Sequence, residues 1–345
     1  KYESRFKDLY LESLRIYFEA IASNEEINVA EKSLEISKIA LKDSKNRFEG
    51  GLGNKMEVLE ADTQLGRDIL NLTRRKGQLK NNKTSLQKIL NIDFPINFEK
   101  VEKKRILGMW NIDLDKSLES AYKNDENLKI SKNDIAINKN KSLSILSGKK
   151  PFINLYNTYS ISKAKGESGV ANPDKNNDIN TSNNTVGINF SWNLFDGGRI
   201  KQNNISNINK TEELEISLRN SKLDLKKRIQ DTLTNLNIAK QNIITSYQQL
   251  ISSKESLEIS LKRLEAGITT QREIVNTQGD VSESESNYIN SLTDYNINIL
   301  TMKRLTGLEE EIICNVDVKK ADIIDRRFIT FLKKVGISSC SNIKN

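Results

Sequence analysis

From Arg199 to Ala266 the chain runs 68 residues without a glycine or proline, directly after Trp192-Asn193-Leu194-Phe195-Asp196-Gly197-Gly198. A helix of that length spans roughly 100 Å at ~1.5 Å per residue. No compact domain needs such a rod, so the segment predicts an element that crosses a gap.

Ile229, Leu236, Ile243, Leu250, Leu257 and Leu264 recur at a seven-residue interval. A second row, Leu233, Tyr247 and Leu261, is broken by Lys240 and Lys254. The two rows form a seam of the kind that draws helices into left-handed coils. A seam this narrow buries little alone, so the rod needs helical neighbours.

The seam occurs twice. At a constant offset of 216 residues, Ile27, Leu34, Leu41 and Phe48 map onto Ile243, Leu250, Leu257 and Leu264. The offset holds through a second helix, where Val58, Leu65, Leu72, Leu79 and Leu86 map onto Ile274, Val281, Tyr288, Tyr295 and Met302. Arg47, Gly51 and Glu57 match Arg263, Gly267 and Glu273, which chance heptads would not align. The sequence therefore predicts two copies of one antiparallel helical hairpin, each closed by a glycine-bearing turn. Lys1 aligns with Ser217, well inside the long helix of the second copy. We read this as a partial chain cut within the first long helix. A secretory signal and a second strand pair are expected upstream.

Between the copies lies the β signal. Val186, Ile188, Phe190, Trp192 and Leu194 alternate with polar residues, and Ile153, Leu155, Tyr159 and Ile161 share one face of an earlier strand opened by Pro151. Lys163 to Asn183, with Pro173, is expected to be an exposed loop. Two strands of about ten residues, apolar on one side, suit a transmembrane β-barrel. They cannot close one alone, so several chains must contribute. The competing reading is a hairpin packed on a soluble core. Trp192 and Tyr156 fit either an interfacial aromatic girdle or a packed position between subunits.

These features resemble the outer-membrane efflux protein (TolC-like) family. The likeness rests on Val186-Gly-Ile-Asn-Phe-Ser-Trp-Asn-Leu-Phe-Asp-Gly-Gly-Arg199 at the strand-to-helix junction and on the tip turns Arg47 to Ala61 and Arg263 to Thr277. Leu305-Thr306-Gly307 adds the end of the last hairpin. The resemblance implies a mainly α fold with a β-hairpin: tandem coiled-coil helical hairpins joined to strands of a trimeric α-barrel/β-barrel. It implies an outer-membrane location, with most of the chain in the periplasm. The duct would be a homotrimer set in outer-membrane lipid, joined at its tip to a periplasmic adaptor and through it to an inner-membrane transporter. It would serve as the passive exit of a tripartite efflux or type I secretion system.

The expected organisation is a first helical hairpin at 1–90, an equatorial linker at 91–112 and a helix leading to the barrel at 113–148. A transmembrane β-hairpin at 149–198, a second helical hairpin at 199–307 and an equatorial tail at 308–345 follow. Adaptor contact falls on Gly51, Leu52, Gly267 and Ile268. The family's constricting carboxylates map onto Glu273 and Asn276, one acid kept and one replaced by an amide, with Glu57 and Glu60 on the first hairpin. Three copies of Glu273 around an axis would favour cations and raise one another's pKa. The plainer reading makes these first-turn acids favoured by the helix dipole. Val186, Ile188, Phe190, Trp192 and Leu194 form the expected membrane face.

Mean hydropathy is −0.58 and no apolar run approaches the ~18–20 residues of a spanning helix, which a barrel with a wet helical tunnel accommodates. The net charge of +8 is scattered over helix faces without aromatic interleaving, so no nucleic-acid partner is expected. The sequence has no histidine, the commonest general base, and no metal-ligand spacing. Gly50 to Met56 lacks the Gly-Lys-Ser/Thr of a phosphate loop. No enzyme activity, cofactor or metal is expected. Cys314 and Cys340 fit either a disulfide or two free thiols. The rival functions are a periplasmic adaptor, which would have one hairpin flanked by β-rich domains, and a coiled-coil scaffold, which leaves the strand alternation unexplained.

Overall fold

The structure, a computed structural model, describes residues 2–96, 106–164, 179–308, 312–313 and 323–335. In chain order the elements are α1 (Tyr2–Glu49), α2 (Lys55–Leu90), β1 (Met109–Trp110), α3 (Leu114–Asn124), α4 (Glu126–Ser147), β2 (Phe152–Ala164), β3 (Ile179–Ser191), α5 (Arg199–Glu265), α6 (Gln271–Thr306), β4 (Ile312–Ile313) and α7 (Ile323–Val335). The chain divides into two units, 1–128 with 221–345, and 129–220.

In the first unit α1 packs against both α2 and α6. The seam of the second copy is buried as expected at Ile229, Leu236, Ile243 and Leu250, and its partners Ile274, Val281, Tyr288, Tyr295 and Met302 are all buried. The first copy differs. Ile27, Leu34 and Leu41 are only half-buried and Phe48 is exposed, whereas Ala22, Ser23, Ala30, Ser33, Ser37, Ala40 and Ser44 are buried. A helix flanked by two others gains most from the face that lets backbones approach closely, and small side chains supply it. Three of their hydroxyls are bonded across the interfaces: Ser33 meets Ser282 at 2.6 Å, Asn82 donates to Ser23 at 3.0 Å, and Ser37 donates to Asp68.

Lys240, which interrupts the seam, is not a solvated flaw. It is buried and ion-paired with Asp325 in the first turn of α7. Phe328, Ile329 and Leu332 of α7 are buried, with the Phe328 ring 5.3 Å from Tyr295 and Phe331 5.2 Å from Tyr247. The tail segment thus holds an amphipathic helix. β1 pairs antiparallel with β4, Met109 opposite Ile313, and Leu107 donates its amide to Asn296 Oδ1 at 2.9 Å. Cys314 and Cys340 lie outside the described residues.

The single helix expected over 113–148 is two. α3 ends against Asp125, whose carboxylate accepts from the Leu128 amide at 2.8 Å and so starts α4 as its cap. Arg304, near the end of α6, lies 2.8 Å from Asp8 and 3.4 Å from Glu126, while Lys7 donates to Glu126 at 2.6 Å. Burial pushes the Glu126 carboxyl up. The hydrogen bond from Lys7, its own backbone amide and the charges of Lys7 and Arg304 outweigh this, and its pKa is lowered. A folded-state pKa below the unfolded value means a stabilisation complete above pH ~4.3 and lost as pH falls through the folded value. We expect hydrogen-exchange protection at the end of α6 to decline in that acid range. Glu126→Gln should flatten the decline; an unchanged profile would show that the clamp does not hold this end.

In the second unit the residues of α4 and α5 are joined by amide pairs. Asn138 donates to the Asn207 carbonyl at 3.0 Å and Asn207 donates back to the Asn138 carbonyl at 2.8 Å. Ile135 of α4 and Ile200 of α5 are buried. β2 and β3 form an antiparallel pair with Phe152 opposite Ser191 and Ala164 opposite Ile179. The strands therefore reach into the expected loop: Lys163, Ala164 and residues 179–183 are strand, because the ladder needs only backbone groups and Ser, Thr and Asn keep it. Pro173 lies outside the described residues.

Candidate functional site

Two places gather the predicted residues: the paired helical tips in the first unit and the strand pair in the second.

At the first tip, Gly51 has φ +74° and the turn is closed by Leu52 N–H to Arg47 C=O at 2.8 Å and Gly51 N–H to Phe48 C=O at 3.1 Å. At the second, Gly267 has φ +70°, with Ile268 N–H to Arg263 C=O at 2.8 Å and Gly267 N–H to Leu264 C=O at 2.9 Å. Both are full Schellman motifs made by equivalent atoms 216 residues apart. Nothing crowds either glycine, so only the left-handed backbone demands it. Gly51→Ala and Gly267→Ala should each cost about 1–2 kcal/mol, measurable as a lowered denaturation midpoint. No loss at either tip would mean that the turn relaxes.

A Schellman motif normally packs the residue after its glycine back onto the helix. Here Leu52 is 79% exposed and Ile268 69% exposed. Met56 and Leu59 are exposed as well. The tips thus present apolar groups that their own turns do not use.

The acids behave differently in the two copies. Glu57 occupies the third position after Asn54, whose side chain accepts from the Glu57 amide at 3.0 Å. Glu273 is tied to its own hairpin by Arg263 at 2.9 Å, Ser260 at 3.3 Å and Thr269. The Thr269 hydrogen bond holds its carboxyl below the usual range, burial opposes this, and Arg263 and Ser260 assist the lowering. Within one chain, then, Glu273 is a satisfied anion. Glu60 is ion-paired with Arg272, linking α2 of one hairpin to α6 of the other. Sequence reasoning did not single out Arg272; its signal was a cation one turn from the tip in one copy where the other has Met56. Asn276 is exposed beside this pair, in a groove lined also by Met56, Leu59 and Val275.

In the strand pair, the register puts Ile153 opposite Phe190 and Leu155 opposite Ile188, so these apolar residues share one face, while Phe152, opposite Ser191, lies on the other. All four are exposed, Leu155 at 77% and Ile188 at 73%. The face narrows away from the helices, where Asn157 opposes Val186 and Asn184 opposes Tyr159. Trp192 and Leu194 are exposed but lie beyond the paired strand. β3 ends at Ser191, and the Trp192 indole instead donates to the Lys149 carbonyl at 3.2 Å. The alternation continued past the strand because sequence periodicity cannot see where pairing stops. On the other face the Tyr156 ring covers Gly187, where an added Cβ would lie 2.6 Å from its hydroxyl. Beyond the strand, Asp196 accepts from the Gly198 and Ile200 amides at 2.9 and 2.8 Å and starts α5.

Among the described residues no cluster of His, Cys, Asp or Glu is arranged to hold a metal ion, and no helix is long and apolar enough to cross a membrane.

Residues 147–308 match the model of the family described as outer membrane efflux protein, a stretch that includes the strand pair, the junction and the second helical hairpin. Among solved structures, a membrane protein from Pseudomonas aeruginosa superposes with a TM-score of 0.73 at 14% identity, over 88% of this chain and 69% of that one. The Campylobacter jejuni CmeC outer membrane channel gives 0.70 at 16% identity, over 89% and 64%. The open state of the Neisseria gonorrhoeae MtrE outer membrane channel gives 0.67 at 12% identity, over 88% and 67%. At these identities the likeness is one of fold. No curated protein sequence matches the chain. The resemblance read from the tip turns and the junction thus holds, and the mostly helical fold with a small antiparallel sheet is that of outer-membrane efflux channels.

Proposed function

We propose that this chain is one subunit of a homotrimeric outer-membrane duct, the passive exit of a tripartite efflux or type I secretion system. The observation that carries the reading is the β2–β3 pair: apolar side chains gathered on one exposed face, mainly polar ones on the other, and edges that no other described strand pairs. Such a sheet is stable in lipid only when copies close it into a barrel. The long helices would carry the path through the periplasm.

The tips would meet a periplasmic adaptor through Leu52 and Ile268, held outward by Gly51 and Gly267, with an inner-membrane transporter supplying the energy. Glu60 with Arg272 would fasten the two hairpins to each other. Glu273 and Asn276, with Glu57 beside them, would narrow the path at the tip. Three Glu273 carboxylates around an axis would attract cations, and the Thr269 hydrogen bond, assisted by Arg263, would favour their ionised form.

The reading is tested by fractionation of the intact protein, which should sediment with the outer membrane and cross-link as a trimer; a soluble periplasmic monomer would reject it. For the constriction, conductance of the reconstituted trimer is compared with Glu273→Ala. Loss of cation preference and a larger conductance are expected, and identical traces would remove Glu273 from the gate.

A further inference from the structure

β2 and β3 contain 13 residues each, and of all of them only Lys163 is charged, in a chain whose charged fraction is 29%. Lipid exposure accounts for the absence of charge on the apolar face. It does not account for the other face, where water would accept Lys, Asp or Glu without penalty.

That second face is set by the register. Asn154 stands opposite Asn189, Thr158 opposite Thr185 and Ser160 opposite Asn183. Lys163 has the parity of the apolar face and sits near the strand end. Phe152, opposite Ser191 at the helix end, and Tyr156, laid over Gly187, lie on this side too and carry no charge. The other side chains facing away from the apolar side, from Asn154 to Ser162 and from Thr181 to Ser191, are short amides and hydroxyls, all of them exposed. Each offers both hydrogen-bond donors and acceptors and none a fixed charge.

Resting on the duct reading above, we infer that this face lines the aqueous path as a neutral, hydrogen-bonding wall, so that this stretch admits cations, anions and uncharged polar solutes alike. A fixed charge on such a wall would be repeated in every subunit and would bias passage toward one sign. The neutral wall leaves charge selection to the helical tip, where Glu273 lies.

The test uses the intact protein with Cys314→Ser and Cys340→Ser, carrying Thr158→Cys or Ile188→Cys. Membranes are treated with a cationic or an anionic water-soluble thiosulfonate of similar size, each rate being divided by that for a free thiol. Thr158→Cys should react with both reagents at normalised rates within about threefold, because β2 and β3 place no fixed charge on this face. Ile188→Cys should react only after detergent extraction. A preference of about tenfold for either reagent would overturn the neutral wall, since three like charges on a ring give a bias of that order. Reaction of Ile188→Cys with Thr158→Cys protected would show that the faces are reversed, and would overturn it too. Should Thr158→Cys fail to assemble, Ser160→Cys reads the same wall. Absence of the parent protein from the outer-membrane fraction is seen before any labelling, and rejects the duct itself rather than the wall alone.

Discussion

Ile188→Arg is expected to remove the protein from the outer membrane. Ile188 pairs with Leu155 on the apolar face and is 73% exposed among the described residues. Arginine on the lipid face of a barrel costs about 2–4 kcal/mol near the midplane, falling to ~0–1 near the interfaces. In a trimer that cost recurs in each subunit, against a total stability of only about 5–15 kcal/mol for a typical domain. The matched control is Asn189→Arg. It moves the same side chain one residue along β3 and hence onto the opposite face, where water would solvate it. Heat-sensitive trimer recovered from the outer-membrane fraction should fall sharply for the first variant and persist for the second. Equal recovery of both would mean that neither face meets lipid, and the soluble-core reading of the hairpin would replace the barrel.

How far this fold could be read from residues alone differs from element to element. The tips were legible because Schellman turns are local: a glycine at one position and its carbonyl partners four residues or fewer before it suffice. Duplication doubled the signal, and Gly51 and Gly267 adopt nearly the same φ. The strand faces were legible because a period of two is unambiguous, but their ends were not. Backbone pairing carried β2 and β3 into polar sequence and stopped before Trp192. The buried face of α1 escaped notice because Ser33, Ser37, Ala40 and Ser44 are weak hydrophobic signals beside a leucine row. What buries them is α1's position between α2 and α6, which is tertiary information. Arg272 with Glu60 was hidden for the same reason: the partners are 212 residues apart. The resemblance to the outer membrane efflux protein family was legible through order and spacing. The roles proposed for Glu273 and Asn276 would depend on neighbouring subunits and do not follow from one chain.

Lys240, which breaks the second heptad row, leads to the second large effect. Its ammonium and the Asp325 carboxylate are nearly removed from solvent, with side-chain exposures of 5% and 10%. Two charges taken out of water gain little over a well-packed apolar pair, yet removing one of them strands the other. Asp325→Ala should therefore destabilise the seat of α7 by about 3–5 kcal/mol, as breaking a buried pair does. The seat comprises Phe328 against Tyr295, whose hydroxyl donates to the Gly108 carbonyl at 2.8 Å, just before β1. Loss of α7 should thus loosen β1 as well, and hydrogen exchange at Phe328, Ile329 and Trp110 should accelerate together. Lys240→Met combined with Asp325→Leu, which leaves no orphan charge, should restore most of the protection. If Asp325→Ala alone leaves exchange at Phe328 unchanged, α7 is held by its aromatic contacts and the ion pair contributes little. If the double variant is no better than the single one, the pair fixes the position of α7 in a way apolar packing cannot replace.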